Sequence, residues 1–453
     1  MSKYEPVIGL EIHIELATAS KMFCTCSVDY FGAKPNTHTC PICLGLPGAL
    51  PKANSLAIEF AQKLGIALNC EAQLSSKFDR KNYFYPDLAK GYQISQYDKP
   101  FSQNGYLEIQ IDGKTKRIEI TRAHLEEDTG KLSHATINGR RVTLIDFNRS
   151  GVPLMEVVSE PDMNSAQEAK IYSQKLQQIV RYSKISDADM EKGSMRIEPN
   201  VSLRKVTKVS KVTKVTNELP PYKVELKNIN SFKFAEKAIN YEIERQGKIL
   251  ESDKIPEQET RGWDEKNNKT VSQRSKELAH DYRYFPEPDL TPFEFTQSYL
   301  TDLKNNLPEL PDLKGERFIR DYQLNEYDAE ILTREKDLAD YFEEAAKVGN
   351  KHNLTPKQIA NVIINQKPNI ATTLPAKLIQ NIISQTTSTP TDQKELEDVI
   401  GQVINENPKA IEDYKKGKEN ALMFLIGQVV RKLGKSDPAL IRQILIEKMA
   451  AIQ

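Results

Sequence analysis

Apolar and polar residues alternate strictly along residues 7–16. Ile8, Leu10, Ile12, Ile14 and Leu16 share one face, and Gly9, Glu11, His13 and Glu15 share the other. A period of two predicts a strand with one buried side. Residues 195–204 repeat the pattern, with Met195, Ile197, Val201 and Leu203 inward and Arg196, Glu198, Asn200, Ser202 and Arg204 outward. VELKN at 224–228 puts Glu225 and Lys227 on a polar side. Helical spacing is rarer here. Ser165 and Glu168 form a capping box ahead of Ala169, Tyr172, Leu176, Ile179 and Val180, and a second helix is expected to start near Ser231 with Phe234, Ala238 and Tyr241 on one side. Many strands and few helices predict an α+β region with a largely antiparallel sheet.

After about residue 295 the period lengthens to that of helices. LPELPD at 307–312 reads as a rigid connector, and Glu326–Ala346, Pro356–Ile364 and Pro375–Ile383 as helices. SQTTSTPTDQ at 384–393 reads as a polar linker before a small helical module. The expected domains are 1–295, 296–390 and 391–453. One run departs from both periods. KVTKVSKVTKVT at 205–216 carries Lys205, Lys208, Lys211 and Lys214 next to Arg204, with no acid. It predicts an extended basic β-ribbon or loop projecting from the sheet, either an added RNA contact or a solvated hairpin without a role.

Residues 77–100, KFDRKNYFYPDLAKGYQISQYDKP, mix cations and amides with Tyr and Phe. Such a stretch would bury charge as a core strand and expose rings as a solvated face. It suits a surface that stacks on and pairs with a large, flat, anionic ligand, or a long loop packing its own aromatics. Charged residues make up 28% of the chain and the formal net charge is zero, so a nucleic-acid partner has to be met by local patches. No apolar run approaches the ~20 residues that cross a bilayer, and no membrane partner is expected. The N-terminal MSKYEPVIGLEIHIEL is charged where a signal peptide is apolar, so a cytoplasmic location is expected.

Four of the five cysteines cluster as Cys24-x-Cys26 and Cys40-Pro-Ile-Cys43. In a cytosolic chain that spacing points to a structural four-thiolate zinc site, with His38 as a substitute ligand. The alternative is buried free thiols. Glu11 and His13 share a strand face, HLEEDTGK at 124–131 adds Glu126, Glu127 and Asp128, and Glu156, Glu160 and Glu225 lie in other strand-like stretches. If these strands are neighbours, mutually repelling acids call for a cation. Oxygen ligation suits Mg²⁺, and the imidazole also admits Mn²⁺. There is no P-loop, G-x-S-x-G, kinase set or dinucleotide fingerprint, so any ATP use needs another cradle.

In order, VIGLEIHIEL, the 77–100 stretch, ITRAHLEEDTGK, LIDFNRSGVPLMEVVSEPD, GSMRIEPNVSLR, VELKNINSF, QETRGWDE and DYRYFPEPDL closely resemble the GatB family of the GatCAB tRNA-dependent amidotransferases, as does DYKKGKENALMFLIGQVVRKLGKSDPALIRQIL near the C-terminus. The resemblance implies a glutamine-synthetase-like cradle, a helical region and a YqeY-like tail that grips tRNA. It implies an ATP-dependent carbon–nitrogen ligase. The side-chain carboxylate of Glu-tRNA(Gln) or Asp-tRNA(Asn) is phosphorylated, and ammonia displaces phosphate. That ammonia comes from the amidase partner GatA, which hydrolyses glutamine. A small partner, GatC, completes the heterotrimer.

Carried over by position, the resemblance implies His13, Glu126 and Glu225 as Mg²⁺ ligands with Glu11 beside them, and Lys90 near an ammonia-tunnel mouth. Arg80, Lys81, Ser194 and Arg196 are implied phosphate contacts, and Cys24, Cys26, Cys40 and Cys43 match the zinc-bearing members. In the tail, Lys415, Lys416, Lys418, Arg431, Lys432 and Lys435 stand against Glu419 as a basic patch. Two departures from the family pattern are the basic run, which replaces a short Gly-containing turn, and a shorter helical region near 345–400. The competing readings are a non-catalytic tRNA-binding scaffold, which has no need of an acidic metal site, and a metal-dependent hydrolase, which would turn over without ATP.

Overall fold

The computed structural model describes residues 3–209, 212–214, 218–275, 281–386, 393–433 and 438–451. It divides into two compact units, Met1–Ala339 and Asp340–Gln453.

A nine-stranded sheet organises the first unit. Its strands are β1 (Tyr4–Glu15), β2 (Glu71–Ala72), β3 (Ser102–Ile111), β4 (Lys114–Glu127), β5 (Pro153–Ser159), β6 (Met195–Lys205), β7 (Val224–Lys227), β8 (Glu259–Asp264) and β9 (Lys269–Ser275). The spatial order is β9-β8-β7-β6-β1-β5-β4-β3-β2. Every pairing is antiparallel except β7 with β8, in line with the expected α+β class. The strands at 7–16, 195–204 and 224–228 all form, and alternation is the reason: one face of each can be buried whole.

Ile8, Leu10, Ile12 and Ile14 share a buried cluster with Met195, Ile197, Val201 and Leu226. Helices α1 (Ser55–Ala67), α2 (Ala166–Tyr182) and α3 (Phe232–Glu251) add Leu64, Leu176, Ile179 and Ile239 to it. Each such buried side chain contributes about 1.5–3 kcal/mol, which commits the helices to the apolar face of β1 and leaves its polar face for chemistry. Both expected helix starts are present. Ser165 caps α2 and Ser231 caps α3. The capping box at α2 is only half formed, because Glu168 accepts from the Asn164 N–H at 2.7 Å and from Lys116 at 2.7 Å instead of from Ser165.

The strand β4 contains a bulge. Val158 pairs with Arg122 and Ser159 with Ile120, so Thr121 is an extra residue. Ile118 and Ile120 before it, and Ala123 and Leu125 after it, all enter the same core. The bulge therefore turns His124 and Glu126 onto the opposite, polar face.

Helices α4 (Gln297–Asn305), α5 (Pro311–Tyr322), α6 (Glu326–Leu332), α7 (Lys336–Asn350), α8 (Pro356–Gln366) and α9 (Pro375–Thr386) follow. Three expectations are corrected here. The second proline of LPELPD opens α5 instead of belonging to the connector, since proline suits the first helical turn. The helix expected over Glu326–Ala346 is two helices, because the Thr333 carbonyl is taken by the side chains of Gln178, at 2.9 Å, and Tyr182. The expected linker is shorter than 384–393: α9 runs through Thr386 and α10 begins at Gln393. Residues 387–392 lie outside the described residues.

Helices α10 (Gln393–Glu406), α11 (Pro408–Lys415), α12 (Glu419–Leu433) and α13 (Pro438–Ala451) bury their own core of Ile400, Val403, Leu425, Val429, Ile441 and Leu445. In the basic run, Thr207–Val209 pairs antiparallel with Val212–Lys214 as a separate two-stranded ribbon. Lys211 lies outside the described residues, and the Lys208 and Lys214 side chains are not described either.

Candidate active site

Matched register on five adjacent strands assembles the site. On β1, the polar face presents Glu11, His13 and Glu15 in succession. His13 stands opposite Glu156 of β5 and Arg196 of β6, and Glu11 stands opposite Glu198. Glu156 in turn faces His124 of β4, and Asn200 of β6 faces Glu225 of β7. Opposed residues point to the same side of a sheet, so all these groups share one face.

They form three groups. In the first, His13 Nε2 lies 3.5 Å from Glu156 and 3.9 Å from Glu126, and His124 Nε2 lies 3.3 Å from Glu156. Arg122 donates to His124 Nδ1 at 3.3 Å, which leaves Nε2–H to donate to Glu156. Ser95 donates to Glu126 at 3.1 Å. Burial works against a charge on His13, but the hydrogen bond to Glu156 and the surrounding carboxylates outweigh it and raise the imidazole to about 9.

The second group is Glu11, Glu198 and Glu225, with ligand oxygens within 4.8 Å of one another. Asn200 donates to Glu11 at 2.9 Å, Thr260 donates to Glu225 at 2.8 Å, and Lys227 reaches Glu198 at 3.0 Å. Burial, then Glu156 and Glu198, hold the Glu11 carboxyl above the usual carboxylate range. In the third group Asp128 is paired with Arg196, and Arg149 lies 3.5 Å from it. Burial opposes its charge, yet the two guanidinium groups hold it down at about 2. Next to it, Tyr30 donates to Glu15 at 2.9 Å.

The expected ligands thus share a face but not one shell. His13 and Glu126 stand with Glu156, while Glu225 stands with Glu11 and Glu198. Sequence reasoning misses Glu198 and His124 as site residues, although Glu198 is on the outward face of its alternating strand and His124 is two residues before Glu126. Among the expected phosphate contacts, Arg80 is taken by Glu287 at 2.6 and 2.8 Å and stacks 4.2 Å over Tyr92. Ser194 binds Asp187 and accepts from the Asp189 N–H at 2.8 Å in a turn. Arg196 is paired with Asp128, and its Nε is buried without a hydrogen-bond partner among the described residues. Lys81 faces the first group; burial opposes its charge, but Glu126 and Glu156 keep the ammonium firmly protonated.

Lys90 is paired with Glu127, and its stem fills the space that a Cβ on Gly45 would need. Gly45 follows the second cysteine pair and has a φ of +66°. The four sulfurs of Cys24, Cys26, Cys40 and Cys43 lie within 4.8 Å of one another, and Cys40 and Cys43 are 3.8 Å apart. That separation matches the edge of a tetrahedron with ~2.3 Å zinc–sulfur bonds, about 3.8 Å. The Cys40 N–H points at Cys43 Sγ from 3.1 Å, and fully buried Lys21 reaches the same sulfur at 3.6 Å and the His38 carbonyl at 2.7 Å. The cluster has the donors and spacing for a zinc ion, and the Lys21 ammonium would offset part of the net negative charge of four thiolates around it. The expected substitute, His38, offers its carbonyl to Lys21, and its ring is not among the clustered donors.

The model of the GatB/GatE catalytic domain matches residues 6–301, and the model of the GatB domain matches residues 375–449. The B subunit of the aspartyl/glutamyl-tRNA(Asn/Gln) amidotransferase of Carboxydothermus hydrogenoformans is 46% identical, with 100% of both chains covered. The chain belongs to this GatB family. Family members from Persephonella marina, 44% identical over 98% of this chain and 99% of that protein, and from Brevibacillus brevis, 42% identical with 100% of both covered, are similar along the same length. Among the described residues, no helix is long and apolar enough to cross a membrane. In the part matched by the GatB domain model, Lys416 lies 3.7 Å from Glu412, Lys418 3.0 Å from Asp413 and Lys432 2.6 Å from Glu406, so the basic patch is interleaved with acids. Lys435 lies outside the described residues.

Proposed function

We propose that the chain is the activating and amidating component of a tRNA-dependent amidotransferase, acting on Glu-tRNA(Gln), Asp-tRNA(Asn) or both. The observation that carries this reading is the shared polar face on which His13, Glu126 and Glu156 stand beside Glu11, Glu198 and Glu225. A scaffold that only holds RNA has no use for these five carboxylates, which would repel the RNA phosphates. Oxygen-rich donors in two groups fit magnesium, with manganese also accepted through His13. When bound, such ions would offset the charge of ATP phosphates and of the carboxylate that accepts the phosphoryl group.

The chemistry requires activation because a carboxylate resists attack by ammonia. Its oxygen attacks the γ-phosphorus of ATP and ADP leaves. Ammonia then attacks the acyl carbon, phosphate departs, and a proton is released to give the amide. Lys81 is positioned to meet phosphate oxygens, whereas the guanidinium of Arg80 is already engaged. Lys90 and Glu127, packed under the thiolate knuckle, stand where ammonia from an amidase partner would enter. Residues 1–295 are the catalytic cradle, 296–390 a helical domain and 391–453 a tail for the tRNA, with a small third protein completing a cytoplasmic complex.

The test is phosphate release and amide formation by the assembled complex given ATP and a misacylated tRNA. Glu126→Gln should slow both by roughly 10²–10³-fold, the usual cost of one electrostatic stabiliser. Equal phosphate release by wild type and variant favours the scaffold reading instead. Zinc is tested separately. The purified chain should hold about one zinc ion, and Cys43→Ser should lose it and expose the loop around Gly45 to protease. Full activity together with an intact loop in a zinc-free sample would rule out the structural role.

A further inference from the structure

Four tyrosines form a chain of ring contacts that reaches the first carboxylate group, and the proposed reaction gives them no role. Tyr97 and Tyr284 stack face to face, with centroids 4.4 Å apart and planes 11° apart. Tyr282 meets Tyr284 edge-on at 6.0 Å and Tyr83 at 5.9 Å. Lys81 Nζ sits 5.0 Å over the Tyr282 ring and feels Glu126 and Glu156. Tyr284 feels the same two carboxylates, so the aromatic group borders the reaction centre. Tyr284 covers one face of the Tyr97 ring, and Tyr97 remains 53% exposed.

An exposed, pre-stacked ring is costly to leave in water and cheap to extend, because a third flat ring adds to an ordered column. The neighbouring ammonium narrows the choice of ring. A flat base carrying phosphate meets both features, whereas an apolar side chain would leave Lys81 unused. Both substrates in the proposed reaction carry adenine: ATP, and the terminal adenosine of tRNA that bears the amino acid.

We propose that Tyr97, backed by Tyr284, is a stacking platform for an adenine base next to the carboxylate site. This deepens the proposed function and rests on it. The platform fixes where the base lies, and Lys81 takes phosphate oxygens on its carboxylate side. Tyr97 is a positioning residue and touches no reacting atom.

The experiment uses the full chain assembled with its amidase and its small partner. Binding of ATP is measured for wild type, Tyr97→Ala, Tyr97→Phe and Tyr97→Trp. Binding of tRNA is measured for the same proteins, with and without its terminal adenosine. Loss of one base stack should weaken affinity about five- to 150-fold in Tyr97→Ala, with Phe and Trp restoring it. Weakening for ATP alone assigns the platform to the nucleotide. Weakening for intact tRNA, absent with tRNA lacking the terminal adenosine, assigns it to the tRNA end. Unchanged affinity for both in Tyr97→Ala overturns the platform while leaving the proposed reaction standing. A wild-type complex that binds neither ATP nor tRNA overturns both.

Discussion

Replacing Glu156 with glutamine is expected to slow ATP-dependent amidation by roughly 10²–10³-fold, with tRNA binding little changed. Glu156 is 7% exposed and lies between two imidazoles, 3.5 Å from His13 and 3.3 Å from His124. Glutamine keeps its shape and loses its charge. His13 and His124 then lose the anion that orients them, and Glu126 loses the carboxylate grouped with it around His13. Single-turnover amide formation at saturating ATP and tRNA measures the chemical step directly. A rate within about threefold of wild type would remove Glu156 from the site and confine the function to the residues around Glu11.

The second large effect concerns stability. Arg80→Met should cost about 3–5 kcal/mol, because it leaves the Glu287 carboxylate buried without its bidentate partner. The Glu287 side chain is 0% exposed, and Arg80 holds it through two bonds of 2.6 and 2.8 Å. Denaturant unfolding of the full chain reads this loss. A phosphate-contact role for Arg80 gives a different result, in which stability stays and the ATP concentration required for activity rises. The two outcomes separate a residue that holds the 77–100 stretch in place from one that touches nucleotide.

The residues behind these two effects differ in how visible they are along the chain. Glu11, His13, Glu198 and Glu225 lie on strands whose alternation is unbroken, so their common outward facing can be read locally. Glu126 cannot be placed that way. Strict alternation from Ile118 puts Ile120, Arg122, His124 and Glu126 on the apolar face, and only the bulge at Thr121 reverses it. Arg80 has the residue type of a phosphate contact, but its partner is 207 positions away and no local pattern announces it. Glu156 sits in a nearly continuous buried strand, PLMEVVS, where it looks like one acid among apolar neighbours. Its importance comes from facing His13 on one side and His124 on the other.

The chain alone determined what short-range periodicity and residue chemistry can specify. These include which strands have a polar side, where α2 and α3 begin, the four-thiolate spacing, the helical character of the C-terminal part and the family. Folding decided which polar sides meet. Strand order β7-β6-β1-β5-β4, the bulge and the single parallel pair come from burying the apolar faces against three helices, a global minimisation that no local window contains. That packing divides one row of acids into two separate clusters. It also places the tyrosine column beside them, because side chains distant along the chain are brought together only when the core closes.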